Sequence, residues 1–269
     1  MAGVERHTEE IDGMPVSWLT AGTDGTPTVY VHGIPNRALT WERFLSRTGG
    51  VAPDMPGFGD SIKAVTFPFS IAGYDGFMER FLDWLGVDSV NLVVHDWGAA
   101  ALAFAKRMPE RIERLVVINA LPLFDGYSLP GVMRFLRTPG LGEVTMGCIS
   151  MRLLRRVLRH ANREPLPERE LAEMYSKLDF GTQRAILKLI RSVKSGTLAS
   201  AGSGLDRIDA PALIVWGALD PFIPAGAATD YANALGSEAE LMLLQDAGHW
   251  PWLDRPDVVA RVADFVAHG

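Results

Sequence analysis

Short apolar runs separated by amphipathic stretches set the pattern of this chain. Residues 28–31, 50–52, 90–94, 115–118, 212–216 and 241–244 are strand-length and apolar without alternation, as strands covered on both faces are. Residues 71–86 carry apolar side chains at helical spacing and stop at Gly86. Further helices are predicted over 98–108, near 225–235 and from 256 to 268. Two edge-like strands come first, over 4–11 and 14–20, joined by the turn pair Asp12-Gly13. Strand–helix alternation of this length implies an α/β fold, with a parallel sheet covered by helices on both faces. Such a sheet holds its ligands at the C-terminal ends of its strands. The residues just after each strand are therefore where chemistry is expected.

The alternation stops after Asn119. Residues 121–205 read as several short helices with loops at 138–140 and 165–167. This stretch holds 13 Arg and Lys against 7 Asp and Glu, whereas the remainder holds 13 against 25. A basic segment interrupting an acidic framework marks an insertion. The length of 269 residues suits one large domain or a domain with such an insertion. The net charge of −6 argues against nucleic acid as a partner. No run is long enough to span a membrane, and the first ten residues lack the apolar core of a signal peptide. Cys148 is the only cysteine, which excludes an intramolecular disulfide and a cysteine-based metal cluster. Cytoplasmic residence is the resulting expectation. There is no internal repeat.

The candidate chemistry starts at Val93-Val94-His95-Asp96-Trp97-Gly98-Ala99, where an apolar strand breaks into a helix with an aspartate at the break. The apex of such a turn is pushed out of the sheet above a helix N-terminus. A serine there, displacing a leaving group from a saturated carbon, would make an ether that water cannot easily cleave. A carboxylate makes an ester, whose carbonyl a second water can attack. The residue type thus points to attack at an sp3 carbon. The plainer alternative is that Asp96 merely caps the following helix. Asp220 follows the run 212–216 and His249 follows 241–244, so nucleophile, acid and base stand in the order Asp96, Asp220, His249. His249 would deprotonate the water that hydrolyses the ester, and Asp220 would fix its tautomer and stabilise the imidazolium. Asn119 is neutral and cannot replace Asp220, and Asp246 lies too close to His249 along the chain. The turn His32-Gly33-Ile34-Pro35 lets the backbone N–H of Ile34, with that of Trp97, face a developing oxyanion. Alone, a Gly-His pair or a His-Gly-x-Pro turn usually means nothing; together, each at a strand end, they form a set.

These residues resemble the α/β-hydrolase superfamily over nearly the full length, and its aspartate-nucleophile branch in particular: epoxide hydrolases and haloalkane dehalogenases. The matching strings are 32–35, 53–61, Val94-His95-Asp96-Trp97-Gly98, Asp220 and Gly248-His249. The resemblance implies a mostly parallel eight-stranded sheet, a core of residues 1–120 and 206–269, and a helical cap over 121–205 inserted after the sixth strand. It also implies a cofactor-independent hydrolase that needs no metal. The expected partners are a small apolar substrate and water, with no nucleic acid, no membrane, and a homodimer allowed.

Dehalogenases hold the departing halide with a Trp directly after the nucleophile, matched by Trp97, and with a second donor. That donor is an Asn in the His-Gly-x-Pro turn or a cap Trp. Here the turn carries Ile34, Asn36 is two positions displaced, and residues 121–205 contain no Trp. Epoxide hydrolases assist the ring oxygen with cap tyrosines, because an alkoxide is a poor leaving group. Tyr127 and Tyr175 are the candidates, while Leu189-Ile190 fills the stretch where a second tyrosine belongs. The narrow expectation is an epoxide hydrolase. Haloalkane dehalogenation is the alternative, followed by a non-catalytic ligand-binding relative and a carboxylesterase.

Met133, Met146, Met151 and Met174 either line an apolar cavity or fill the core. Arg152, Arg155, Arg156, Arg159 and Arg163 form a basic stripe opposite Leu153, Leu154, Val157 and Leu158, read as a solvated helix face, with a membrane-surface or anionic-substrate role as the lesser alternative. Trp250 and Trp252 are expected to pack the His249 loop. Phe58 and Phe222 either touch substrate or fill the rim, and Cys148 is expected inside the cap.

Overall fold

The structure, a computed structural model, describes residues 3–22 and 25–267. Eight strands form one sheet: β1 (Glu5–Ile11), β2 (Met14–Ala21), β3 (Thr28–Val31), β4 (Gly50–Pro53), β5 (Val90–Asp96), β6 (Ile112–Ala120), β7 (Ala212–Gly217) and β8 (Ala239–Leu244). Their spatial order is β1-β2-β4-β3-β5-β6-β7-β8. The pairs β1–β2 and β2–β4 are antiparallel and all others parallel. This is the mostly parallel α/β sheet expected. Met1-Ala2 and the end of the predicted last helix at His268 lie outside the described residues.

Helices cover both faces. On one side sit α2 (Ile71–Trp84), α3 (Leu102–Arg107) and α10 (Gly226–Ala234); on the other sit α1 (Glu42–Thr48), α11 (Pro251–Asp254) and α12 (Asp257–Ala267). Alternate residues of β5 feed the two cores: Leu92 and Val94 join Phe77 and Phe81, whereas Val93 joins Trp41 and Val262. All seven residues of β5 are buried, which is why its sequence is a continuous apolar run. Helix α2 begins where the Ser70 hydroxyl accepts from the Gly73 N–H, and it buries Tyr74, Phe77, Met78, Phe81 and Leu82 at helical spacing. Each such side chain contributes about 1.5–3 kcal/mol by leaving water.

The helix predicted over 98–108 is instead a tight 3-10 turn, Trp97–Ala101, followed by α3. The turn is imposed by Asp96, whose φ of 52° lies in the left-handed region. Gly98 permits it, since a Cβ there would lie 2.3 Å from the Val31 carbonyl oxygen.

Between β6 and β7 the chain forms α4 (Gly131–Leu136), α5 (Leu141–Gly147), α6 (Met151–Val157), α7 (Glu168–Ser176), α8 (Phe180–Ser192) and α9 (Thr197–Gly202). Among the described residues no helix is long and apolar enough to cross a membrane.

Candidate active site

The C-terminal ends of β3, β5, β7 and β8 bring Ile34, Asp96, Asp220 and His249 together. Asp96 is the last residue of β5 and is buried. One carboxylate oxygen, Oδ1, accepts from the Ile34 N–H at 2.9 Å, and the Trp97 N–H also bonds the carboxylate. Asp96 sits at the N-cap position of the turn that follows, yet apart from the Trp97 N–H its carboxylate makes no capping bond there, so helix capping does not account for it. Gly33 is what admits the carboxylate: a Cβ on it would fall 2.1 Å from Asp96 Oδ1. Burial pushes the Asp96 carboxyl up to about 6, against the lowering pull of His249 and of the two N–H groups.

His249 stands on the loop after β8. Its Nδ1 lies 2.7 Å from Asp220 Oδ2, which can only accept, so Nδ1 carries the proton and neutral His249 leaves Nε2 bare. Nε2 is 3.7 Å from Asp96 Oδ2, too far for a hydrogen bond and near enough to take a proton from water approaching Asp96. Burial works against a charged imidazole here, yet the Asp220 and Asp96 carboxylates outweigh it and hold His249 above its usual range.

Asp220 is fixed by more than His249. Its Oδ1 accepts from the N–H groups of Phe222 (2.8 Å) and Ile223 (3.1 Å). Its Oδ2 also accepts from Asn119 Nδ2 at 2.7 Å. Asn119 in turn takes the Gly217 N–H at 2.9 Å and sits at a φ of 36°. Asn119 therefore does not stand in for Asp220; it positions the Asp220 carboxylate. Asp246 turns away, pairing with Arg255 and Arg163.

The His249 loop is also gripped by the segment between α6 and α7. The His249 N–H donates to the Ala161 carbonyl at 2.7 Å. Asn162 takes the Trp250 N–H and donates to both the Trp250 carbonyl and Asp254. Asp254 accepts from the Gly248 N–H as well. No local sequence signal announces this clamp, because its halves are about ninety residues apart.

Above Asp96 and His249 lies a cavity of about 350 Å³. Its floor includes Ile34, Pro35, Phe222 and Trp250, and its walls come from α4, α5, α6 and α8. Apart from Asp96 and His249, Thr145 and the Trp250 ring nitrogen are the only polar side-chain groups among its lining residues. A larger cleft of about 670 Å³ lies around Thr28, Asn91 and Pro211, away from these groups. Met133 and Met146 line the cavity, whereas Met151 and Met174 do not. Leu153, Leu154, Val157 and Leu158 line it too, with the arginines of the same helix turned outward. Phe222 meets the His249 ring edge-on at 5.2 Å; Phe58 packs on His32 instead. Cys148, expected inside the insertion, is exposed. It caps the end of α5, beyond the last turn that packs inward.

Neither candidate tyrosine lines the cavity. Tyr127 lies to the side of it, donating to the Phe222 carbonyl at 3.3 Å, and burial keeps its phenol protonated. Tyr175 is on α7 and 37 % exposed, on a helix that contributes nothing to the lining. The stretch expected to hold a second tyrosine does reach the site: Ile190 lines the cavity, and Leu189 borders a small hollow beside Trp97. Trp97 is buried, and its indole N–H has no hydrogen-bond partner. The Asn36 amide nitrogen is likewise buried without one.

Residues 26–256 match the family model for the alpha/beta hydrolase fold. A 2-hydroxy-6-oxo-2,4-heptadienoate hydrolase of Pseudomonas putida is 31% identical over 90% of this chain and 90% of its own. A haloalkane dehalogenase of Mesorhizobium japonicum is 30% identical over 48% of this chain and 45% of its own. Epoxide hydrolase 1 of Caenorhabditis elegans is 23% identical over 90% and 65%. Among solved structures, a haloalkane dehalogenase from Bradyrhizobium elkani superposes with a TM-score of 0.85 at 24% identity, covering 99% of this chain and 98% of that one. With the sheet order and the elbow at Asp96, these matches place the chain in the α/β-hydrolase family.

Proposed function

We propose that the protein hydrolyses a small apolar molecule at a saturated carbon, with Asp96 as nucleophile, and that the leaving group departs as a weakly basic anion such as a halide. The observation that carries this reading is the carboxylate itself. It is buried under an apolar cavity, with Oδ1 held by the Ile34 N–H and Oδ2 facing His249. Asp96 attacks the carbon, the carbon–halogen bond breaks, and the halide leaves with the bonding pair. His249 Nε2 then takes a proton from water, whose oxygen attacks Asp96 Cγ. The oxyanion forms on the carboxyl oxygen that faces the Ile34 and Trp97 N–H groups. Collapse releases the alcohol, which takes the proton back from His249, while Asp220 steadies the imidazolium; Asp96, left as the acid, then loses its remaining proton to solvent and is a carboxylate again. In this reading residues 121–205 act as a cap that keeps bulk water from the ester.

The leaving group separates this reading from the epoxide expected from sequence. An alkoxide needs an acid, and no tyrosine lines the cavity. A halide needs only donors, and the unpartnered Trp97 indole N–H is a free one, although it borders the small hollow behind Ile34 and not the main cavity. An epoxide stays as second reading because Tyr127 is near enough to feel the charge of Asp96, and its hydroxyl holds only the Phe222 carbonyl.

The test is a side-by-side assay of 1-bromobutane and styrene oxide, with His249→Gln to stop the second step. The expected result is bromide release by the native enzyme and a butyl adduct on Asp96 of the variant, seen by intact mass. Diol formation without bromide release would favour the epoxide. No adduct with either compound would refute the nucleophile.

A further inference from the structure

The mouth of the cavity has a surface that the reaction does not require. Val132 and Phe135 on α4, and Leu153 and Val157 on α6, both line the cavity and are more than a third exposed, so they form its rim. Leu141 and Val144 on α5 extend the same apolar face without lining the cavity, Val144 being 64 % exposed. Helix α6 adds charge. At about 100° per residue, its buried Leu154 and Leu158 point inward and Leu153 and Val157 flank the mouth. That spacing carries Arg152 and Arg156 to the outer surface. Neither arginine has an ion pair or a side-chain hydrogen bond among the described residues, nor does Arg134 on α4. The insertion as a whole carries 13 basic against 7 acidic residues, over a remainder of 13 against 25. The molecule thus presents an apolar rim at the opening of its cavity, with unpaired arginines on the adjoining outer side of α6.

We propose that this face docks on an anionic lipid surface, with α4, α5 and α6 at headgroup level and the cavity mouth turned toward the bilayer. Exposed aliphatic and aromatic side chains enter the headgroup boundary while unpaired arginines meet lipid phosphates. A second copy is a poorer occupant, because a two-fold interface would bury the same cationic patch on both subunits and so bring two sets of unpaired arginines into one contact. The expectation of no membrane partner rests on the lack of a spanning segment, which a surface contact does not need. Docking would let an apolar substrate dissolved in the membrane reach the cavity without crossing water.

The experiment is co-sedimentation of the whole protein with phosphatidylcholine vesicles, with and without about one-third phosphatidylglycerol. Binding is expected to the anionic vesicles only and to weaken with added salt. Arg152→Gln with Arg156→Gln should weaken it roughly 25-fold, about fivefold for each arginine, and Val144→Asp should weaken it too. None of these side chains lines the cavity, so circular dichroism and thermal melting should match the native protein. Equal pelleting with neutral vesicles, no pelleting with anionic ones, or undiminished binding by the arginine variant overturns the proposal. So does a dimer in the ultracentrifuge that Val144→Asp dissociates, which would give the face to a second copy. The readout is partition rather than turnover, so a failure of the proposed reaction leaves this result standing on its own.

Discussion

Replacing Asp96 by Asn should make the protein more stable while removing its activity. Burial raises the Asp96 carboxyl from 3.8 to about 6. Ionising it therefore costs roughly 3 kcal/mol more in the fold than in the unfolded chain, at about 1.4 kcal/mol per tenfold change. The sign follows from where the proton sits. Below about pH 4 the group is protonated in both states and the fold carries no penalty. Between about pH 4 and 6 only the folded state keeps the proton, so stability falls as pH rises, and above about 6 the whole penalty is present. Asparagine is neutral throughout and its amide oxygen can keep the Ile34 N–H. At about pH 8 the variant should melt roughly 6 °C or more above the native protein, and near pH 4 the difference should shrink toward zero. Calorimetric melts of both proteins across this range decide the matter. A variant that melts at or below the native temperature at high pH, or one whose gain persists undiminished in acid, would show that Asp96 is not held under ionisation strain. The same shift predicts that formation of the covalent ester rises with pH through about 6.

Other expectations follow from the contacts around the site. Asp220→Asn removes the charge that raises His249 and should slow ester hydrolysis by on the order of 10³-fold or more while the first step survives, so stopped-flow bromide release becomes a single-turnover burst. Trp97→Phe deletes the free indole donor and should slow halide release by roughly 10- to 100-fold, whereas Tyr127→Phe should change it less than about twofold. The reverse order in steady-state assays would favour an epoxide. Asn162→Ala breaks the bonds to Trp250 and Asp254 and should cost about 2 kcal/mol, lowering the melting temperature by about 4 °C, with kcat falling as the His249 loop loosens.

Much of this arrangement is legible in the sequence because strong local rules govern it. The buried run of β5 and the aspartate at its end mark the elbow, and the residues after β7 and β8 supply the paired Asp220 and His249, the candidate acid and base. What escapes the sequence depends on direction and distance. Nothing in the 98–108 pattern shows that the chain must first tighten into a 3-10 turn, since that is forced by the left-handed Asp96 and the contact of Gly98 with β3. Asn119 reads as a neutral bystander until its strained backbone brings its amide onto Asp220. In the insertion the helices are legible but their rotation is not. Tyr127 and Tyr175 are therefore acid candidates by sequence that do not line the cavity, and Cys148 faces outward, while Leu189 and Ile190 hold the places beside the site.

The central claim is that a carboxylate, and not a hydroxyl or a bound water, makes the first bond to the substrate. A single turnover of 1-bromobutane in oxygen-18 water, followed by digestion and mass spectrometry, measures it directly. The label should appear in the peptide carrying Asp96 and be absent from the butanol of that first turnover. Label in the alcohol with none in Asp96 would mean that water attacks the substrate itself, and the mechanism proposed here would be wrong.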